Sequence, residues 1–192
     1  MRFIENTTWE KVFDGWRGRE ANDPGWINCA TKIKGWPNWE SWRRFTADQF
    51  DAENLDWQIF EIDNPIVEMP AMLVGPFIGW QSRLPLKNKS TFEDLVNIKE
   101  QRELLSKNEK IISMTKKFSE PTELIGFLKG DSDKIVCFDG YHRCATAALA
   151  KFNKIKLEFK INPKIAIAVI EDINVFDRVL ERGSSRNKNR GI

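Results

Sequence analysis

Residues 134–150 read Lys-Ile-Val-Cys-Phe-Asp-Gly-Tyr-His-Arg-Cys-Ala-Thr-Ala-Ala-Leu-Ala, and this stretch decides how the rest of the chain is read. Lys134–Phe138 is short, apolar and rich in β-formers, which predicts a strand. The Ala-rich run through Ala150 predicts a helix. Gly140 supplies the tight bend between them. A helix start leaves backbone N–H groups without acceptors, and its dipole is positive there. With Arg143 one turn in and His142, the chain's single histidine, beside it, the turn reads as a phosphate cradle.

Outward from this turn the pattern predicts a mixed α+β chain. Upstream, Thr122–Leu128 and Lys134–Phe138 form a hairpin around Gly130-Asp131-Ser132-Asp133. Pro121 ends a helical region that starts at a capping box, Ser90-Thr91-Phe92-Glu93, runs to about Leu105 and resumes over Asn108–Lys117. Trp57–Ile62 has strand composition, Asp63-Asn64-Pro65 is a turn, and Ile66–Val74 reads as extended. Gly75-Pro76 and Gly79 mark a loop that carries Gln81, Ser82 and Arg83. Downstream, Ile155–Lys160 alternates apolar and polar, Asn162-Pro163 turns, and Lys164–Ile170 alternates again. A last helix over about Asn174–Arg182 offers Val175, Phe176, Val179 and Leu180 to a core. Seven of the eight tryptophans lie at or before Trp57. Residues 1–56 therefore read as a Trp-rich extension, loop-rich with short helices, in which Trp39, Trp42 and Arg43 share a helical spacing. Those indoles either fill a core or wall a ligand pocket. Three segments follow: 1–56, a principal domain over 57–182, and a basic tail over 183–192.

Composition narrows the function. The 192 residues, 41% apolar and 30% charged, suit a globular chain. No apolar run approaches the roughly 20 residues of a membrane helix, which points away from a membrane partner. Three cysteines without a Cys-x-x-Cys pattern, and one histidine, suggest neither a disulfide scaffold nor a structural zinc site and fit a cytoplasmic location. Magnesium needs only carboxylates and phosphates, so it stays open. The net charge is +2, and the segment 181–192 carries four cations against one acid, which leaves the preceding residues near −1. That balance argues against nucleic acid as the partner.

Candidate site residues follow from the turn. Gly140, Tyr141, His142 and Arg143 would hold phosphates, with Tyr141 either closing over a ligand or packing. His142 is a phosphate ligand, a general acid or an orienting group. Asp139 either caps the following helix or binds magnesium and accepts a proton. Glu68 interrupts an apolar segment, a costly place for a charge that has no partner, and Glu61 is equally eligible. Ser90 is first a helix cap.

Strand, Asp-Gly-x-His-Arg and small-residue helix together resemble the signature of the ParB/sulfiredoxin superfamily, which holds chromosome-partition proteins, sulfiredoxins and free-serine-type kinases. The resemblance spans roughly residues 57–170. It implies a ParB/sulfiredoxin-like mixed sheet with helices, and nucleotide phosphates at Gly140, His142 and Arg143. It further implies a second arginine facing the nucleotide at Arg83 and a catalytic base at Glu68. Sulfiredoxins carry a reactive cysteine just before the His-Arg pair, where this chain has Tyr141, so that chemistry is not expected. The expectation is a kinase using ATP or ADP with Mg2+, acting on a small hydroxylated molecule. The alternative is a DNA-associated, ParB-like nuclease or nucleotide-switch protein.

Overall fold

The computed structural model describes residues 1–118 and 120–182, and the basic tail lies outside them. The chain is α+β, as the sequence predicts. Five strands form one mixed sheet: β1 (Arg2–Thr7), β2 (Trp57–Glu61), β3 (Glu123–Lys129), β4 (Ile135–Asp139) and β5 (Lys164–Ile170). Their order is β1-β2-β5-β3-β4, antiparallel at each contact except the parallel pair β3/β5. The hairpin is β3–β4, with Phe127 opposite Val136 and Gly126 opposite Cys137.

Alternation along the central strands sorts their side chains to two helical layers. One face presents Ile125, Phe127, Val136, Phe138, Ala166 and Ala168. It is covered by α1 (Trp9–Glu20), α3 (Trp39–Asp48) and α10 (Val175–Arg182), with the short α2 (Pro24–Asn28) beside them. Trp9, Phe13, Trp16, Trp39, Trp42 and Phe50 are the bulk of that layer. Residues 1–56 are thus half of the sheet's packing, and they add an edge strand, β1, that the polar sequence of Arg2–Thr7 does not announce. Leu124, Cys137, Ile165 and Ile167 face the other way. There they meet α4 (Pro65–Ala71), α6 (Phe92–Asn97), α8 (Glu109–Lys116) and α9 (Tyr141–Phe152), while α5 (Ile78–Gln81) and α7 (Lys99–Ser106) complete the described helices.

Several sequence expectations are corrected. Ile66–Val74 is not extended throughout: Pro65 starts α4, and Glu68 in its first turn accepts a hydrogen bond from the Asn64 N–H at 2.6 Å. Two prolines, Pro65 and Pro70, have no N–H for a sheet ladder, which disfavours a strand there. Ile155–Lys160 alternates but joins no ladder. Its Leu157 and Phe159 pack inward, the Phe159 ring 4.8 Å from that of Phe118. The capping box sits one residue later than predicted, with Thr91 accepting from the Asp94 N–H at 3.1 Å and Asp94 accepting from the Thr91 N–H at 2.8 Å. Ser90 instead donates to the Leu86 carbonyl. The single helix expected up to Leu105 is two, broken at extended Ile98.

Candidate functional site

Gly140 makes the turn from β4 into α9 at φ 111°, a backbone state that favours glycine, and a Cβ there would sit 1.9 Å from Leu124 Cδ2. Both the sharp turn and the close approach of β3 therefore require glycine. The N–H groups of Tyr141, His142 and Arg143 have no acceptor inside the helix. These residues line a cavity of about 740 Å³ between the two helical layers, a size suited to a small ligand. Its walls come from α1 (Arg19, Glu20), α2 and α3 (Trp26, Trp42, Arg43), residues 77–80, α8 (Lys110, Met114), the segment entering β3 (Glu120, Glu123) and the motif turn.

The acids and arginines nearest the turn are largely committed to one another. Arg143 donates one nitrogen to the Glu123 carbonyl and another to Asp139 at 2.9 Å. Arg19 pairs with Glu123 and lies 3.8 Å from Asp139. Burial holds the Arg19 guanidinium below its ordinary pKa, although Asp139 and Glu123 oppose this. Asp139 does not cap α9, whose cap position is Gly140 without a side-chain bond. Its carboxylate instead faces two guanidinium groups, those of Arg143 and Arg19.

Deeper in the wall, Arg43 is enclosed by indoles, its guanidinium carbon 4.1 Å from the Trp42 ring centre, 4.7 Å from Trp16, 4.9 Å from Trp26 and 5.9 Å from Trp39. Glu20 meets it at 2.6 Å and also accepts from the Trp39 indole at 2.9 Å. Burial nevertheless pushes the Glu20 carboxyl above its ordinary pKa. Lys34 and Lys110 also line the cavity and form no ion pair among the described residues; the Lys110 ammonium lies 4.6 Å from the Trp26 ring centre. His142 stands edge-on to Trp80 with ring centres 5.4 Å apart. Burial, then the charge of Lys110, lowers its pKa to about 4, with Arg143 and Arg83 acting in the same sense and Asp139 opposing. The imidazole is neutral at physiological pH.

The structure brings together Asp139, Gly140, Tyr141, His142 and Arg143 but not the other expected residues. Tyr141 is fixed by its hydroxyl, which donates to the Cys137 carbonyl at 2.9 Å beneath Gly75, so it packs and does not move over a ligand. Arg83 is exposed, its guanidinium 5.6 Å from the Trp80 ring centre, and does not line the cavity. Glu68 is remote from the cavity, tied to Asn64 and to the Met1 amino group at 2.9 Å. Glu61 pairs with Arg2 at 2.8 Å at the end of the β1/β2 ladder. Sequence reading missed Arg19, Glu20, Arg43, Lys34 and Lys110 as wall residues. Trp9, Trp16, Trp39 and Trp57 fill the core, while Trp26, Trp42 and Trp80 line the cavity. No family model, curated protein or solved structure matches the chain.

Proposed function

We propose that the cavity binds a nucleoside di- or triphosphate, ATP or ADP, and that the protein passes a phosphoryl group to a small hydroxylated molecule. The observation that carries this reading is the convergence, on an indole-walled cavity, of the first residues of α9, whose N–H groups lack an acceptor in the helix, with Lys110, which forms no ion pair among the described residues, and the neutral imidazole of His142. Backbone N–H groups and an ammonium are what phosphate oxygens require. The aromatic walls suit a planar base. Arg143 holds the turn in shape through Glu123 and Asp139 and adds its charge from behind. Lys110 neutralises negative charge at the front, where transfer needs it. With Glu68 remote and Asp139 held by arginines, the proton of the attacking hydroxyl passes in this reading to His142, and phosphate charge beside the ring raises its affinity for that proton. No step is routed through magnesium here, and the Asp139 carboxylate is engaged by Arg19 and Arg143.

Calorimetric titration with ADP, ATP and pyrophosphate tests the reading, using wild type and Lys110→Ala. Losing a charged hydrogen bond of about 1.5–3 kcal/mol should weaken binding roughly tenfold to a hundredfold. Absence of binding by all three ligands to wild type would overturn the proposal.

A further inference from the structure

A smaller groove, of about 390 Å³, lies between the end of α8 and the segment that precedes β5. It gathers four lysines that the sequence keeps apart, Lys116 and Lys117 on one wall and Lys156 and Lys160 on the other. All four are exposed and form no ion pair among the described residues. The two acids of the groove do not balance them. Glu158 stands between Lys156 and Lys160, and Glu120 accepts a hydrogen bond from the Lys160 N–H at 2.8 Å. Cations gathered without matching counter-charges attract an anionic partner. The chain's own end, with four cations against one acid in residues 181–192, has the wrong sign to fill the groove.

The backbone narrows that partner to a peptide. Residues 156–160 alternate in exposure as a strand does, with Leu157 and Phe159 held against the core. Phe159 packs on Phe118 from the opposite wall, so the two walls are tied together. Yet the backbone N–H and C=O groups of residues 156–159 form no hydrogen bond among the described residues. A strand-like stretch with free groups of both kinds is a template for a further strand. A second peptide brings donors and acceptors together, whereas the backbone of a nucleic acid brings phosphate acceptors and leaves the carbonyls unpaired.

We propose that this groove docks an extended acidic peptide, paired through its backbone to residues 156–159. Its carboxylates stand four positions apart, opposite Lys156 and Lys160 and within the field of Lys116 and Lys117. A neutral residue lies between them, opposite Glu158. The proposal stands apart from the phosphotransferase reading, although Glu120 lines both the groove and the larger cavity.

Fluorescence anisotropy on the full chain tests the groove with a labelled, end-capped peptide, Gly-Glu-Val-Ser-Val-Glu-Gly. Saturable binding is expected, at least tenfold weaker when both Glu are replaced by Gln, and weaker again in high salt. Two further peptides carry N-methyl groups, one on both Val and the other on Ser and the second Glu. A strand turns alternate N–H groups to a given neighbour, so at least one of these two should lose tenfold or more. Lys156→Glu combined with Lys160→Glu, at two exposed positions, should remove saturable binding and leave the thermal melt in place. No saturation by about 1 mM peptide would overturn the proposal. So would equal binding of the Gln peptide, full binding of both N-methylated peptides, or wild-type affinity in the double variant. An oligothymidylate that binds as tightly as the peptide would assign the groove to nucleic acid and overturn it too.

Discussion

His142 illustrates how much one side chain's surroundings set its behaviour. In an unfolded chain its pKa is near the ordinary 6.5, whereas burial and Lys110 bring it to about 4 in the fold. A group that binds its proton more weakly when folded favours the fold above the unfolded value. That contribution disappears as pH falls from about 6.5 towards 4, on the order of 3 kcal/mol over the window. Urea unfolding of wild type at pH 7.5 and pH 4.5 should show this loss, and His142→Gln should recover most of it. An unchanged profile in the variant would place the titration elsewhere. Gly140 is the second residue with a sharp expectation. Gly140→Ala must accommodate both φ 111° and a methyl 1.9 Å from Leu124 Cδ2. The leucine end can turn aside but the backbone strain remains, so thermal unfolding should report a loss of about 2 kcal/mol or more. Gly140 was legible in the sequence because a strand-to-helix turn leaves few alternatives. Arg43 was not legible as a wall residue, since its four indole neighbours come from three separate elements, and only their packing assembles the enclosure.

Among the elements, the instructive one is α4. Its apolar residues, Ile66, Val67 and Met69, suit a strand or a buried helix, and periodicity over so short a run does not separate them. The local chemistry does: Pro65 preorganises the first turn, and Glu68 returns to the Asn64 N–H. The same geometry keeps Glu68 away from the cavity. Glu68→Ala is accordingly expected to leave ADP affinity within about twofold and to cost about 1 kcal/mol of stability, the scale of a lost cap. Calorimetry and melting on one preparation check both. A loss of ADP binding in a folded variant would contradict the assignment. The β3–β4 hairpin, α8, α9 and β5 were legible because each carries its own period and punctuation. β1 was not, because Arg2–Thr7 owes its strand to pairing with β2, where Phe3 meets Phe60 edge-on at 5.8 Å.

For the whole molecule, the central point is that the Trp-rich segment is half of the structure's packing. Phe50 stacks on Phe127 with ring centres 4.9 Å apart, and Trp16 meets Phe138 at 5.4 Å. Each such buried aromatic contributes roughly 2–3 kcal/mol, so removing the layer exceeds the stability of an ordinary domain. Residues 57–192 alone are predicted to lose a cooperative melt by circular dichroism and to bind an apolar dye. A sharp, reversible transition for that fragment would show that the segment is an appendage after all. No described helix is long and apolar enough to cross a membrane. The sequence by itself determined the mixed α+β class and the strand–Gly–helix turn with its free N–H groups, because these depend on contacts within a few residues. The tertiary structure alone decided which charges surround that turn. Arg19, Arg43 and Lys110 reach the cavity from helices up to 120 residues distant in the chain, and such contacts leave no local period in the sequence. It likewise decided that Glu68 and Arg83 stand outside, since the direction of a side chain is set by the packing of the element that carries it.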